Sequence, residues 1–385
     1  MSITKEKGLA EVSAKPRDRA HDIAKGICIL LVLQVHIFNY PEWFRYTLAA
    51  TSVWLMPFFF TLSGYYYRPG VRRPAEALRR RAVQLLKPYF TYSIGLWLIS
   101  TAYNLIRHSY TLWECVRQYL MFLVSRNTFV LFGLEPATME RTVRPDSINF
   151  IYATIPFWFV AMMFLSYVIF YFIADYALSN AKRFISVTTL LIIITYVLNL
   201  CVDAMGFGLP WNCQNVPMGT ALMLFGAMFG KYKILSKDTI STKWKIINSL
   251  VALVIIFGLQ MKYNGIGSFA SGIFINFGAI ETFPCVVLGI LSPFMMISFS
   301  RIIDKIPVLN KAFSWVGFRT IPFLFVHLTV SSLITELLGI RRKSDGGAAE
   351  SLLNLLLTIV ILVIYRIVWE FILKKINTKK KVKVD

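Results

Sequence analysis

Apolar stretches about twenty residues long recur along the whole chain, and few folds can accommodate such a sequence. A helix needs about 20 apolar residues to cross the hydrocarbon of a bilayer, and somewhat fewer when its flanking side chains snorkel. On that measure ten spans lie near 22–40, 47–67, 88–106, 148–174, 184–202, 216–231, 246–262, 272–300, 315–338 and 352–373. The sixth is short and Gly-rich, and the eighth is broken by Pro284 and Pro293. Hydrophobic residues make up 56% of the chain and the mean hydropathy is +0.59, more apolar surface than a water-soluble domain of this size needs. The expectation is an all-α polytopic membrane protein of about ten transmembrane helices, forming one domain over 1–385.

The distribution of charge orients these spans. If loops alternate between the two sides, 29 of the 41 Lys and Arg residues fall on one side and 10 on the other, with Arg319 and Arg366 inside spans. Cytoplasmic loops carry the excess of Lys and Arg, so both termini are expected in the cytoplasm, including the basic segment 1–21 and the basic tail 374–385. The first apolar run lacks a small-residue cleavage pattern and reads as an uncleaved span. The net charge of +21 is scattered between apolar runs and forms no single basic face, which argues against nucleic acid as a partner. Five widely spaced cysteines include no CxxC pair, so neither a zinc site nor a disulfide framework is expected. Cys201 and Cys213 flank one outer loop and can pair if it faces an oxidising compartment.

Ionisable residues inside apolar spans are costly, and each is a candidate functional site. His36 ends the first apolar run, eleven residues beyond Lys25, which places it roughly 16 Å along a helix from the charged foot of His21, Asp22 and Lys25. An imidazole at that depth can hold or pass a proton, act as a general base, or briefly accept an acyl group; a purely structural role remains the alternative. His327 lies eight residues beyond Arg319, and Glu281 stands in the eighth span beside Pro284. Either can orient His36 or take its proton, and either can instead satisfy a freed carbonyl or a neighbouring helix. His21 and His108 sit among polar residues and read as solvated.

Two polar regions complete the inventory. The loop Arg68 to Lys87 gathers Arg72, Arg73, Arg79, Arg80, Arg81 and Lys87, and guanidinium forks suit phosphate groups; a topology determinant touching anionic lipid explains the same charges. In the outer loop 203–215, Trp211, Asn212, Gln214 and Asn215 are suited to sugar by stacking and hydrogen bonding, or form a turn with an interfacial tryptophan. Leu112 to Val124 has the pattern of an amphipathic helix lying along an interface.

Three separated segments resemble the acyltransferase 3 family of integral-membrane O-acyltransferases, in its fucose 4-O-acetylase-like branch. The first is Asp22-Ile23-Ala24-Lys25-Gly26 with the apolar run to His36. The second is Trp54-Leu55-Met56-Pro57 through Ser63-Gly64-Tyr65, followed by Arg81 and Leu85-Leu86-Lys87-Pro88-Tyr89. The third is Trp315-Val316-Gly317, Arg319-Thr320, Pro322 and His327. The chain departs from the family's pattern at Gln84, where a second arginine is usual, and at Val35, where a glycine often precedes the histidine.

The resemblance implies transfer of an acyl group, usually acetyl from cytoplasmic acetyl-CoA, to a sugar hydroxyl of a lipid-linked or exported glycan. Acetyl-CoA is then a co-substrate and no cofactor stays bound. On this reading His36, Lys25 and Asp22 form the catalytic set, while Arg79, Arg80, Arg81 and Lys87 receive the CoA end. His327, Glu281, Trp211 and Asn212 are the candidates for contact with the acceptor. Membrane lipid and a polysaccharide-synthesis machinery are the expected partners. The rivals are a glycan or lipid transporter without acyl chemistry, a non-catalytic partner of a polysaccharide synthase, and transfer of another acyl group such as succinyl.

Overall fold

A computed structural model of the chain describes residues 18–38, 42–71, 73–124, 147–148, 150, 154, 156–205, 209–236, 243–244, 246–247, 249–251, 253–254, 282–341 and 347–382. Among them every long element is a helix. In chain order these are α1 (Arg19–Ile37), α2 (Glu42–Tyr65), α3 (Pro74–Ile106), α4 (Leu112–Val124), α5 (Phe157–Ala177) and α6 (Ala181–Met205). After a 3-10 turn at Pro210–Asn215 come α7 (Val216–Lys231), α8 (Thr282–Ile303), α9 (Pro307–Phe318), α10 (Thr320–Leu338) and α11 (Ala348–Val382). Six of them are long and apolar enough to cross a membrane: α1, α5, α10, and the most apolar parts of α6, α8 and α11. Backbone groups in hydrocarbon must be satisfied within the segment, which is why such a chain folds as helices. The protein is an all-α membrane protein.

Several boundaries differ from those read in the sequence, each for a local reason. The basic stretch around Arg79 to Lys87 is the first half of α3, not a loop: Pro74 stands in the first turn, where its missing N–H costs nothing, and the helix runs on through Pro88. The ninth expected span divides at Arg319, whose backbone (φ −120°, ψ 29°) leaves the helical region between α9 and α10. The expected amphipathic stretch forms α4 over the same residues, 112–124. Most of the seventh expected span, the first part of the eighth, and Glu281 with it lie outside the described residues.

Helix α1 occupies the centre. It packs against α2, α8, α9, α10 and α11. Of its most apolar window 61% is buried, against 22% for α6 and 28% for α11. The latter two therefore form the rim, with Ile185, Leu190, Ile193, Leu356, Val360 and Ile364 exposed in the manner of lipid-facing side chains. Where Pro57 interrupts the hydrogen-bond ladder of α2, the Thr61 hydroxyl lies within hydrogen-bond reach of both the Pro57 carbonyl (3.1 Å) and the Gly289 carbonyl of α8 (2.8 Å), linking the two helices. Asn354 of α11 joins α10 in the same way. Its amide donates to the Ile340 carbonyl (2.7 Å) and its oxygen accepts from Ser331 Oγ (2.8 Å).

The start of α1 is tied down by charge. Asp18 caps the helix, accepting from the Ala20 N–H at 3.0 Å, and also receives Arg301 Nη2 from the end of α8 at 2.9 Å. Burial alone would raise the Asp18 carboxyl; His21 and Arg301 more than offset it, and the group stays below the usual carboxylate value of 3.8. A depressed carboxyl stabilises the fold above its unfolded pKa and loses that contribution as pH falls through the folded value. Asp18→Asn is accordingly expected to lower the melting temperature at pH 7. The difference from the parent protein should shrink in acid below about pH 4, and a gap that stayed constant with pH would show that the carboxylate charge is not what matters.

Candidate active site

Two ionisable rings from opposite ends of the chain meet. His36 is in the last turn of α1 and His327 is in the middle of α10, and their ring centroids are 5.4 Å apart. His327 is 0% exposed and His36 half-buried. The His327 Nδ1 stands 3.0 Å from the Phe323 carbonyl and 2.9 Å from the Leu324 carbonyl. A carbonyl oxygen only accepts, so Nδ1 must carry the proton and the lone pair is on Nε2. That Nε2 is buried with no hydrogen-bond partner among the described residues, a state that normally costs free energy. A base with its lone pair unused, beside a second imidazole, is suited to moving a proton.

The approach of these rings depends on how α1 crosses α9. A Cβ at Gly26 would overlap the Phe313 carbonyl oxygen and stand 3.0 Å from the Gly317 nitrogen; one at Gly317 would overlap the Asp22 carbonyl oxygen. The two backbones touch where side chains are missing. His36 lies ten residues beyond Gly26 on α1, about 15 Å of helix rise. His327 lies ten residues beyond Gly317 but across the break at Arg319, so the crossing of α1 and α9 sets where α10 begins and thereby where His327 meets His36.

The foot of α1 is a separate cluster. Lys25 Nζ pairs with Asp22 Oδ1 at 2.6 Å, one turn apart, so these two candidate catalytic residues hold each other at the far end of the helix from His36. His21, expected to be solvated, is instead 1% exposed. It is hydrogen-bonded to Tyr66 Oη (2.6 Å) and lies edge-on to the Tyr65 and Tyr66 rings, because α2 returns beside it. His108 is exposed, as expected.

The basic candidates on α3 divide. Arg79, Arg80 and Lys87 are exposed, and Arg80 pairs with Glu76 (2.8 Å). Arg81 turns inward. Its guanidinium covers the Tyr167 ring at 4.6 Å, Nε donates to Tyr171 Oη at 3.1 Å, and Nη1 donates to Gln84 Oε1 at 2.9 Å. At the other candidate region, Trp211 and Asn212 both take positive φ (54° and 59°). This bend turns Asn212 inward to 6% exposure, where its oxygen accepts from Gln214 (2.7 Å) and Asn215 (3.1 Å). Trp211 remains 39% exposed, with Nε1 donating to the Leu123 carbonyl. Only the tryptophan thus keeps a free face of the kind the sequence suggested. Cys201 and Cys213 are both free thiols.

Sequence reasoning singled out His36 and offered His327, alongside Glu281, as the group that orients it or takes its proton. It missed the buried His21 and the tyrosines under Arg81, whose only sequence signal is the four-residue spacing of Tyr167 and Tyr171.

Residues 18–374 match a family model described as an acyltransferase domain. The nodulation protein NolL of Mesorhizobium japonicum is 28% identical over 107 residues, covering 26% of this chain and 29% of the relative. No solved structure matches. The match runs from residue 18 to 374, over most of the chain, and the chain therefore belongs to the acyltransferase 3 family.

Proposed function

We propose that the protein is an O-acetyltransferase that moves acetyl from acetyl-CoA to a sugar hydroxyl of a cell-surface polysaccharide or its lipid-linked precursor. The observation that carries this reading is the contact of His36 with His327, which supplies two imidazoles where the acyl group and the hydroxyl must meet. Acyl transfer needs a base for the attacking hydroxyl and a proton for the departing thiolate. The acceptor oxygen attacks the thioester carbonyl as His36 takes its proton. The C–S bond then breaks, and the thiolate receives a proton as CoA leaves. His327 Nε2, with its lone pair available, holds the proton between these steps.

A variant of the same chemistry places the acetyl briefly on His36 before the sugar receives it. Arg81 meets the phosphates of the donor, with the exposed Arg79, Arg80 and Lys87 drawing it in. The Asp22–Lys25 pair fixes the foot of α1. Both termini lie in the cytoplasm of a cell whose inner or plasma membrane carries the protein, in the company of polysaccharide-synthesis machinery. Trp211 offers a stacking face to glycan on the opposite side.

The test is transfer of radiolabel from acetyl-CoA to the host's surface glycan, in membranes with and without the protein. Label that reaches glycan only when the protein is present supports the reading. If no label transfers while glycan export still depends on the protein, the reading fails in favour of transport without chemistry.

A further inference from the structure

Arg81 has no ion pair among the described residues, and it is half-buried where Arg79, Arg80 and Lys87 are exposed. Among the described residues the groups that hold it are neutral: the Tyr167 ring beneath it, Tyr171 Oη at Nε and Gln84 Oε1 at Nη1. Removing a guanidinium from water without a carboxylate is costly unless an anion arrives to pair with it. The support is also rigid. Tyr167 and Tyr171 lie one turn apart on α5 with rings stacked at 5.5 Å and 14°. Tyr67 flanks Tyr171, and its hydroxyl donates to Asp175 Oδ1 at 2.7 Å. Tyr167 is 3% exposed, so the ring under the guanidinium cannot swing away.

We infer that Tyr171 and Tyr167 are positioning residues that keep the Arg81 fork aimed at one phosphate of a nucleotide-bearing thioester donor. This rests on the proposed role of Arg81 in receiving the donor. The tyrosines orient the guanidinium through cation–π contact and one neutral hydrogen bond, and so leave its charge for the ligand. Nε and Nη1 face the protein, which leaves Nη2 to carry the phosphate contact.

Direct binding to the purified full-length protein tests this without an acceptor. The probes are acetyl-CoA and acetyl-pantetheine, the same thioester arm without its nucleotide and phosphates. Tyr171→Phe keeps the ring and deletes only the hydroxyl. It is expected to weaken acetyl-CoA about tenfold, the size of one hydrogen bond to a charged group, and to leave acetyl-pantetheine unchanged. A general loosening of the fold would weaken both donors together, and that result overturns the inference.

Arg81→Lys separates the two levels of the argument. If it weakens acetyl-CoA while Tyr171→Phe does not, Arg81 meets the donor but the tyrosine does not position it, and the inference fails alone. Should neither variant affect acetyl-CoA, the donor role of Arg81 fails and the inference falls with it.

Discussion

Replacing His36 with alanine is expected to lower acyl transfer by a factor of about 10² to 10⁴, the range over which a positioned acid–base group accelerates a reaction. His327→Asn should fall within the same range. An asparagine amide can still donate to the Phe323 and Leu324 carbonyls as Nδ1 does, yet it offers no base in place of Nε2. The packing of α10 should therefore survive while the chemistry is lost. Because the rings are neighbours, the double variant should be little slower than the slower single one; groups that act as a unit are strongly non-additive. The measurement is labelled-acetyl transfer in membranes matched for protein amount. Full activity in His36→Ala would remove the histidine pair from the mechanism. Activity kept only in His327→Asn would leave His36 as a base acting without its neighbour.

Fold class and the main chemical candidates were legible in the sequence for physical reasons. Twenty-residue apolar runs have few solutions in a bilayer, and a histidine within such a run stands out by its cost. His327 was legible only as one of two partners for His36, with Glu281 as the other; which of them stands beside His36 depends on how α9 crosses α1 at Gly26 and Gly317 and where α10 starts beyond it. Local composition also misled in particular places. His21 lies among polar residues, yet α2 folds back to cover it with Tyr65 and Tyr66. Asn212 has the chemistry to hold sugar, but two consecutive positive-φ residues turn it into a buried amide network. Residue chemistry alone did not separate Arg81 from Arg79 and Arg80, and only the family resemblance singled it out; in the structure the tyrosines of α5 distinguish it.

The second large effect concerns that crossing. Gly317→Ala is expected to destabilise the protein by about 1–3 kcal/mol, since the added methyl meets the Asp22 carbonyl, backbone that cannot rotate aside as a side chain would. Gly26→Ala should do the same from the other side, and the two together should cost less than their sum because both force the same pair of helices apart. Gly95→Ala in α3 is the control: a Cβ there has nothing within 4 Å, so the melting temperature should hold or rise slightly as helix propensity improves. Activity should fall further than stability in the two crossing variants. Moving α9 away from α1 shifts α10 with it and separates His327 from His36, and an error of about 1 Å in such a pair can cost 10²-fold in rate. If Gly317→Ala melts and turns over like Gly95→Ala, the crossing does not set the distance between the histidines. If instead the folded fraction of Gly317→Ala binds acetyl-CoA normally and fails only at transfer, the glycines serve catalysis by seating α9 on α1, which sets where α10 starts and so where His327 stands relative to His36.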